Sequence, residues 1–334
     1  MTNKARVIAC LNHRQPDKIP YHIEFTQKAH QKMIEFTGDP NFEAQLNNCM
    51  LVLSTESESA WHEVAPDIWQ DEFGVRWNRA IDKDIGVVCN QLITPENITA
   101  FRFPDPADPL RYQKFEKALA QPVDQFVIAN IGFSLFERAW TLAGMENILM
   151  AMMVNPGFVH DLLDRILAYN LVVIENSCRF AIDAMMFGDD WGQQTGLLMG
   201  PKLWREFIKP RITKMYQFVK SRGKFVFIHS CGKVNEIFPD LIDAGLDAFN
   251  PFQPEVMDVF AIKRRYGNSL TFYGGISTQQ TLPFATVKQV QAAVERLLAE
   301  VGHKGGYIAA PAHAIPGDAK PENIIAMIET LEAQ

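Results

Sequence analysis

The chain has 334 residues, 47% of them apolar and 21% charged, with a formal net charge of −7. That is enough apolar material for one large α/β domain or two smaller ones. The lack of any like-charge block excludes a nucleic-acid footprint or a polybasic membrane patch, and no run approaches the roughly 18 consecutive apolar residues of a membrane span. At the N-terminus, Val7-Ile8-Ala9-Cys10-Leu11 is too short for a signal peptide and gives way to Asn12-His13-Arg14, which predicts a cytoplasmic protein. Ile19–Phe25 reads as a first strand on which His22 and Glu24 alternate and so share a face. Turned inward, Glu24 would supply a metal ligand, an acceptor for a metal-bound imidazole or a substrate contact. Turned outward, it is a surface carboxylate. Helical periodicity follows over Thr26–Thr37 and Phe42–His62, then Ile68–Trp77 alternates as a hairpin or extended piece. Pro104, Pro106 and Pro109 mark a loop. Residues 1–125 thus form an elaborated, partly helical entry to the fold.

From 126 to 334 the pattern is regular. Strand-like apolar runs recur at Phe126–Gly132, Ala184–Asp189, Phe225–Ser230, Ala248–Phe252, Leu270–Gly275 and Gly306–Pro311. Helical patterns fill the gaps at Leu135–Val154, Gly157–Ala181, Pro201–Ser221, Val234–Ala244, Val256–Tyr266, Thr286–Val301 and Pro321–Glu332. Counting Ile19–Phe25, seven β units can be assigned and the eighth is not. Apolar strands alternating with amphipathic helices imply a parallel sheet covered by helices. Polar residues follow nearly every run: Glu24, Asn130, Asp189, Asp190, His229, Cys231, Asn250, Gln253, Ser277 and His313. A polar ring drawn from many strands suits the mouth of a (β/α)₈ TIM barrel better than the single switch point of an open sheet. The chain therefore reads as one barrel domain over 1–334. No G-x-G-x-x-G or Walker-type loop is present, which leaves dinucleotide and P-loop sites without support.

The chemistry gathers at two strand ends. His229-x-Cys231 follows Phe225–Ile228, and residues in alternation on a strand point the same way, so both reach toward one ion. His313 follows the Gly306–Pro311 run, as a third ligand or as a histidine on a Pro-rich turn. Two imidazoles and a thiolate suit zinc with one position left for substrate. In Gly188-Asp189-Asp190, either a carboxylate joins Gln193 in binding substrate, or Asp190 caps the turn and Asp189 or neither faces the cavity. Asn130, Asn250 and Gln253 are further substrate contacts or loop caps. The five cysteines are scattered and odd in number, against a disulfide framework, and all but Cys231 read as small buried apolar residues. Met145–Met153 reads as helix core.

These motifs resemble the uroporphyrinogen decarboxylase superfamily, which also holds zinc-dependent corrinoid methyltransferases. The resemblance rests on Asn12-His13-Arg14-Gln15-Pro16-Asp17-Lys18-Ile19-Pro20, on Phe136-Glu137-Arg138-Ala139 through Leu142-Ala143-Gly144-Met145-Glu146, and on His229-Ser230-Cys231-Gly232, Gly274-Gly275-Ile276 and Pro321-Glu322-Asn323-Ile324. It implies a distorted (β/α)₈ barrel. The decarboxylases carry an Arg-Gln-Ala-Gly-Arg-Tyr motif for substrate carboxylates; this chain has Tyr21-His22-Ile23-Glu24-Phe25 near that strand, and Asp71 is a loose match to their catalytic aspartate. The methyltransferase branch has His-x-Cys and a third ligand, usually Cys, before an Ile-Pro turn. His229 and Cys231 match the first two, and His313 stands where that Cys is expected. The resemblance implies Zn²⁺ on His229, Cys231 and His313, and methyl transfer between a small thiol or methylated compound and a corrinoid, free or on a partner protein. The alternative is a cofactor-independent decarboxylase acting on uroporphyrinogen or a related carboxylate.

Overall fold

The computed structural model describes residues 1–57 and 59–334. Seven parallel strands form one curled sheet in the order Met50–Ser54, Phe126–Ile131, Ala184–Gly188, Phe225–His229, Ala248–Phe252, Thr271–Ile276 and Tyr307–Pro311. Each strand is a short apolar run and each crossover from Phe126 onward contains helix, the arrangement a parallel sheet requires. Strand parity then divides the core into two layers. Phe126, Ile128, Ala184, Met186, Phe227, Ala248, Ile308 and Ala310 pack together inside the curl, with Val7 and Leu11 of the Asn3–Leu11 helix among them. The alternate residues, such as Val127, Met185, Val226, Ile228 and Phe249, pack outward in the larger cluster shared with the helices.

The curl is closed by the segment expected as the first strand. Ile19–Phe25 is irregular backbone with two isolated parallel bridges, Tyr21 to Ala309 and Phe25 to Ile315. His22 N donates to Ala309 O at 3.0 Å, Ala309 N to Pro20 O at 2.9 Å and, on the other side, Cys49 N to Tyr21 O at 3.0 Å. The segment therefore spans the gap between the first and last strands and gives the sheet a TIM-barrel-like form. Pro20 has no N–H to give a ladder, which keeps the segment from becoming a regular strand.

The unassigned eighth unit is Met50–Ser54, inside the stretch expected to be helical over Phe42–His62. That stretch contains a 3₁₀ turn at Phe42–Gln45 and this strand, and it ends on the first residue of a second strand, His62–Ala65. A continuous apolar run such as Met50-Leu51-Val52-Leu53 fits a buried strand as well as a helix, and tertiary pairing with Phe126–Ile131 decides for the strand. The expected hairpin at Ile68–Trp77 is present and extended, since Ile68–Gln70 and Arg76–Asn78 lie within a four-stranded antiparallel sheet with His62–Ala65 and Val87–Val88. Below it, Asp71 pairs with Arg138 at 2.8 Å, both buried.

Most helices stand where periodicity put them, with local adjustments. Leu135–Val154 is two helices, Phe136–Ala143 and Met145–Val154, because Gly144 at φ 91° turns the chain between them. Met152 is core, whereas Met150 and Met153 are exposed. Cys10 and Cys49 are buried as expected, but Cys89 is exposed and Cys178 half-buried. No helix among the described residues is long and apolar enough to cross a membrane.

Candidate metal centre

The parallel registers align the C-terminal ends of the strands: His229 lies level with Gly188 on one side and Asn250 on the other. Parity continues past the interior apolar layer, so Phe126-Ile128-Asn130, Ala184-Met186-Gly188, Phe225-Phe227-His229 and Ala248-Asn250 each point their last member into the barrel. Above that layer opens a cavity of about 310 Å³, walled by those residues together with His22, Glu24, Phe133, Glu137, Asp190, Tyr273 and His313.

His229 and His313 line that cavity, and Cys231, outside the lining, stands against them. One ligating atom from each lies within 4.8 Å of the other two. Cys231 Sγ is 3.3 Å from His229 Nε2, and the two imidazole centroids are 5.6 Å apart. Zn–N and Zn–S bond lengths give a tetrahedral site edges of roughly 3.3–3.8 Å, so small side-chain adjustments close the set on one ion. The donors, two borderline imidazoles and one soft thiol, match zinc in kind.

Neighbouring groups fix each donor. Asn250 Nδ2 donates to Tyr273 O at 3.0 Å, which turns its Oδ1 toward His229 Nδ1 at 2.6 Å. His229 must then carry its proton on Nδ1, leaving the Nε2 lone pair facing Cys231 and the cavity. The Cys231 amide donates to Asp190 Oδ1 at 2.7 Å. The turn beyond is tight because Gly232, at φ 85°, packs directly on Gly192; a Cβ at 232 would sit 2.4 Å from the Gly192 carbonyl carbon. His313 sits on a turn held from both sides, by Ala312 N to Ile276 O and by Ile315 N to Glu24 O, each at 2.8 Å.

Burial, reinforced by Asp190, pushes the Cys231 thiol well above its usual range. His313 is held below the ordinary imidazole value by burial and by the neighbouring His229 ring. In the metal-free protein near neutral pH, the centre is thus a protonated thiol beside a neutral His313.

The other anticipated residues divide into two groups. Glu24 faces inward: it and His22 both line the cavity, joined by a 3.0 Å hydrogen bond between His22 Nε2 and Glu24 Oε1. Loss of solvent alone would raise the Glu24 carboxyl, but the His22 bond and the His22, His229 and His313 rings bring it below the usual range. Asn130, Asp190 and Asn250 also line the cavity. Asp189 does not. Gly188 points inward, so Asp189 turns outward, fully buried, where its carboxylate accepts from the Leu135 and Glu137 amides and from the Trp191 indole at 3.2, 2.8 and 2.6 Å. Burial pushes it up to about 6 despite those bonds. Gln193 lies exposed on a small hairpin, where its carbonyl accepts from Lys233 N. Gln253 accepts from Gly232 N at 3.4 Å and stands outside the lining. Asp71 is also committed elsewhere, to Arg138 and to the Phe73 and Val75 amides.

Glu137 was not anticipated. It sits in the first turn of the Phe136–Ala143 helix, is 9% exposed, and lines the cavity. Burial, with repulsion from Asp190 and Asp189, drives its carboxyl well above the usual range. The signal available was an acidic residue opening the helix that follows an inward-pointing strand end. Among the described residues, no lysine or arginine lines the cavity.

A family model described as uroporphyrinogen decarboxylase (URO-D) matches residues 69–334. The chain belongs to this family. Its relatives include a methylcobamide:CoM methyltransferase MtaA from Methanosarcina barkeri, 30% identical over 132 residues, which are 39% of this chain and 36% of that protein. A uroporphyrinogen decarboxylase from Serratia proteamaculans is 25% identical over 217 residues, 61% of this chain and 58% of that protein. The chain therefore spans less than two thirds of either relative's length. A methyltransferase from Methanosarcina mazei has the same fold, with a TM-score of 0.73 at 19% identity, covering 100% of this chain and 99% of that one. Members of the family are thus enzymes, with both methyltransferases and decarboxylases among them.

Proposed function

We propose that this chain is a zinc-dependent methyltransferase moving a methyl group between a corrinoid of the methylcobalamin type and a small thiol or methylated substrate. The convergence of one ligating atom each from His229, Cys231 and His313 to within 4.8 Å of one another, with both imidazoles on the cavity wall, carries the reading. Those three residues hold the ion, and zinc bound there supplies a Lewis acid that favours the thiolate form of a sulfur substrate. Asn250 sets the His229 tautomer, and Asp190 positions Cys231 through its backbone. Glu24, Asn130 and Glu137 stand on the wall that a substrate faces, while Asp189, Gln193 and Gln253 support the surrounding loops. The corrinoid, free or carried by a partner protein, is presented at the open mouth of the barrel.

Decarboxylation of uroporphyrinogen or a related carboxylate is the competing reading within the family. It asks for cationic partners to receive the carboxylates, and the lining lysines and arginines it needs are missing among the described residues. Metal analysis of the purified protein, combined with methyl transfer from methylcobalamin to a panel of thiols, separates the two. The expected result is one zinc per chain and a methylated thiol. Cys231→Ala loses both while keeping the circular dichroism of the fold; stoichiometric zinc in that variant would remove Cys231 from the ligand set.

A further inference from the structure

From the charge of the cavity wall, we infer that the small compound entering it carries a positively charged nitrogen, as an amine or ammonium group. This rests on the methyl-transfer reading and names the substrate side of it: an aminothiol acceptor or a methylated amine donor, in place of a carboxylate or sulfonate. Three carboxyl side chains, Glu24, Glu137 and Asp190, line the cavity with no lysine or arginine among the described residues. Their local bonds leave them capacity. Glu24 gives Oε1 to His22, and Asp190 gives Oδ1 to the Cys231 amide, whereas a carboxylate offers about four acceptor positions. Glu137 is nine-tenths buried and still reaches the cavity.

A divalent ion held by one thiolate and two neutral imidazoles adds a single net positive charge. Glu24 and Asp190 together outweigh it. A substrate carrying a second anionic group would bring that group, unpaired, against like charge, while a cation meets complementary charge. Two walls are also aromatic, Phe133 and Tyr273, a side-chain type that attracts cations. The Arg138 guanidinium approaches the Phe133 ring at 5.4 Å, but it is buried, its Nη1 is paired with Asp71, and it stands outside the cavity lining.

Three isosteres isolate the charge: choline, neutral 3,3-dimethyl-1-butanol and anionic 3,3-dimethylbutanoate. Their binding is measured by calorimetry on the full chain, metal-free and zinc-loaded, so the outcome does not depend on turnover. Choline is expected to bind about tenfold or more tightly than the alcohol, with the carboxylate weakest. Glu24→Gln is expected to reduce the ratio of choline to alcohol affinity by roughly two- to fivefold. Choline no tighter than the alcohol, or the carboxylate tightest, overturns the inference, as does failure of all three to bind. Absence of zinc or methyl transfer counts instead against the proposed reaction, so the two failures are distinguishable.

Discussion

Replacing Asn250 with alanine tests whether the metal centre depends on one amide. The side chain is buried, and both of its polar ends are engaged: Nδ2 with the Tyr273 carbonyl at 3.0 Å and Oδ1 with His229 Nδ1 at 2.6 Å. Removing it leaves the His229 ring free to rotate and to carry its proton on either nitrogen, so the Nε2 lone pair is no longer held toward Cys231. Loss of such a partner to a metal-binding histidine weakens affinity by about 10–100-fold, roughly 1.4–2.7 kcal/mol. Asn250→Asp keeps an acceptor for Nδ1–H but sets its second oxygen against the Tyr273 carbonyl, so its zinc affinity should fall between those of the parent and the alanine variant. Zinc dissociation constants from competition with a chromophoric chelator compare the three proteins, and thermal melts confirm that the alanine variant is folded at the assay temperature. An alanine variant that binds zinc within about twofold of the parent would refute the tautomer argument.

Two further outcomes follow from the same geometry. Gly232→Ala places a Cβ 2.4 Å from the Gly192 backbone at a φ of 85°, costing about 1–2 kcal/mol in conformation alone; metal analysis after dialysis should show zinc lost from a still-folded barrel, and full retention would mean that this turn does not position Cys231. Because burial raises the Cys231 thiol while His313 stays neutral above its lowered value, zinc uptake between pH 7.5 and 9 should release about one proton and tighten about tenfold per pH unit. A slope near zero, or near two, would contradict that assignment.

Much of this arrangement was legible because a strand converts sequence spacing into direction. Runs beginning at Phe126, Phe225 and Ala248 place Asn130, His229 and Asn250 on the inner face by parity, as the registers bear out. The same rule, applied to Ala184-Met186-Gly188, turns Asp189 outward; adjacency to Asp190 obscured it, since the two carboxylates look equivalent in the sequence. Parity was no help where the backbone leaves the strand. Asp190 and Gln253 lie on loops, Gln193 on a small hairpin, and Glu137 enters from a helix, so their directions depend on contacts such as Gly192–Gly232 and on the fixed start of the 136–143 helix. In the fold, Met50–Ser54 escaped because four consecutive apolar residues carry no period that separates strand from helix.

The third donor ties the proposed metal centre to barrel closure. His313 lies on a turn beyond the last strand, and the backbone on its far side is held by the N-terminal segment: Ile315 N donates to Glu24 O at 2.8 Å, and Thr26 N and Oγ1 donate to Ile315 O at 3.1 and 3.0 Å. The same segment seals the sheet through Tyr21 and presents His22 and Glu24 to the cavity. An irregular stretch with one bridge to the last strand and one to the turn beyond it thus supplies the last wall, holds the turn that carries the 313 imidazole, and contributes a carboxylate to the cavity lining. His229 and Cys231 are held by a central strand and its turn, so damage to residues 20–26 should reach the site through His313 first.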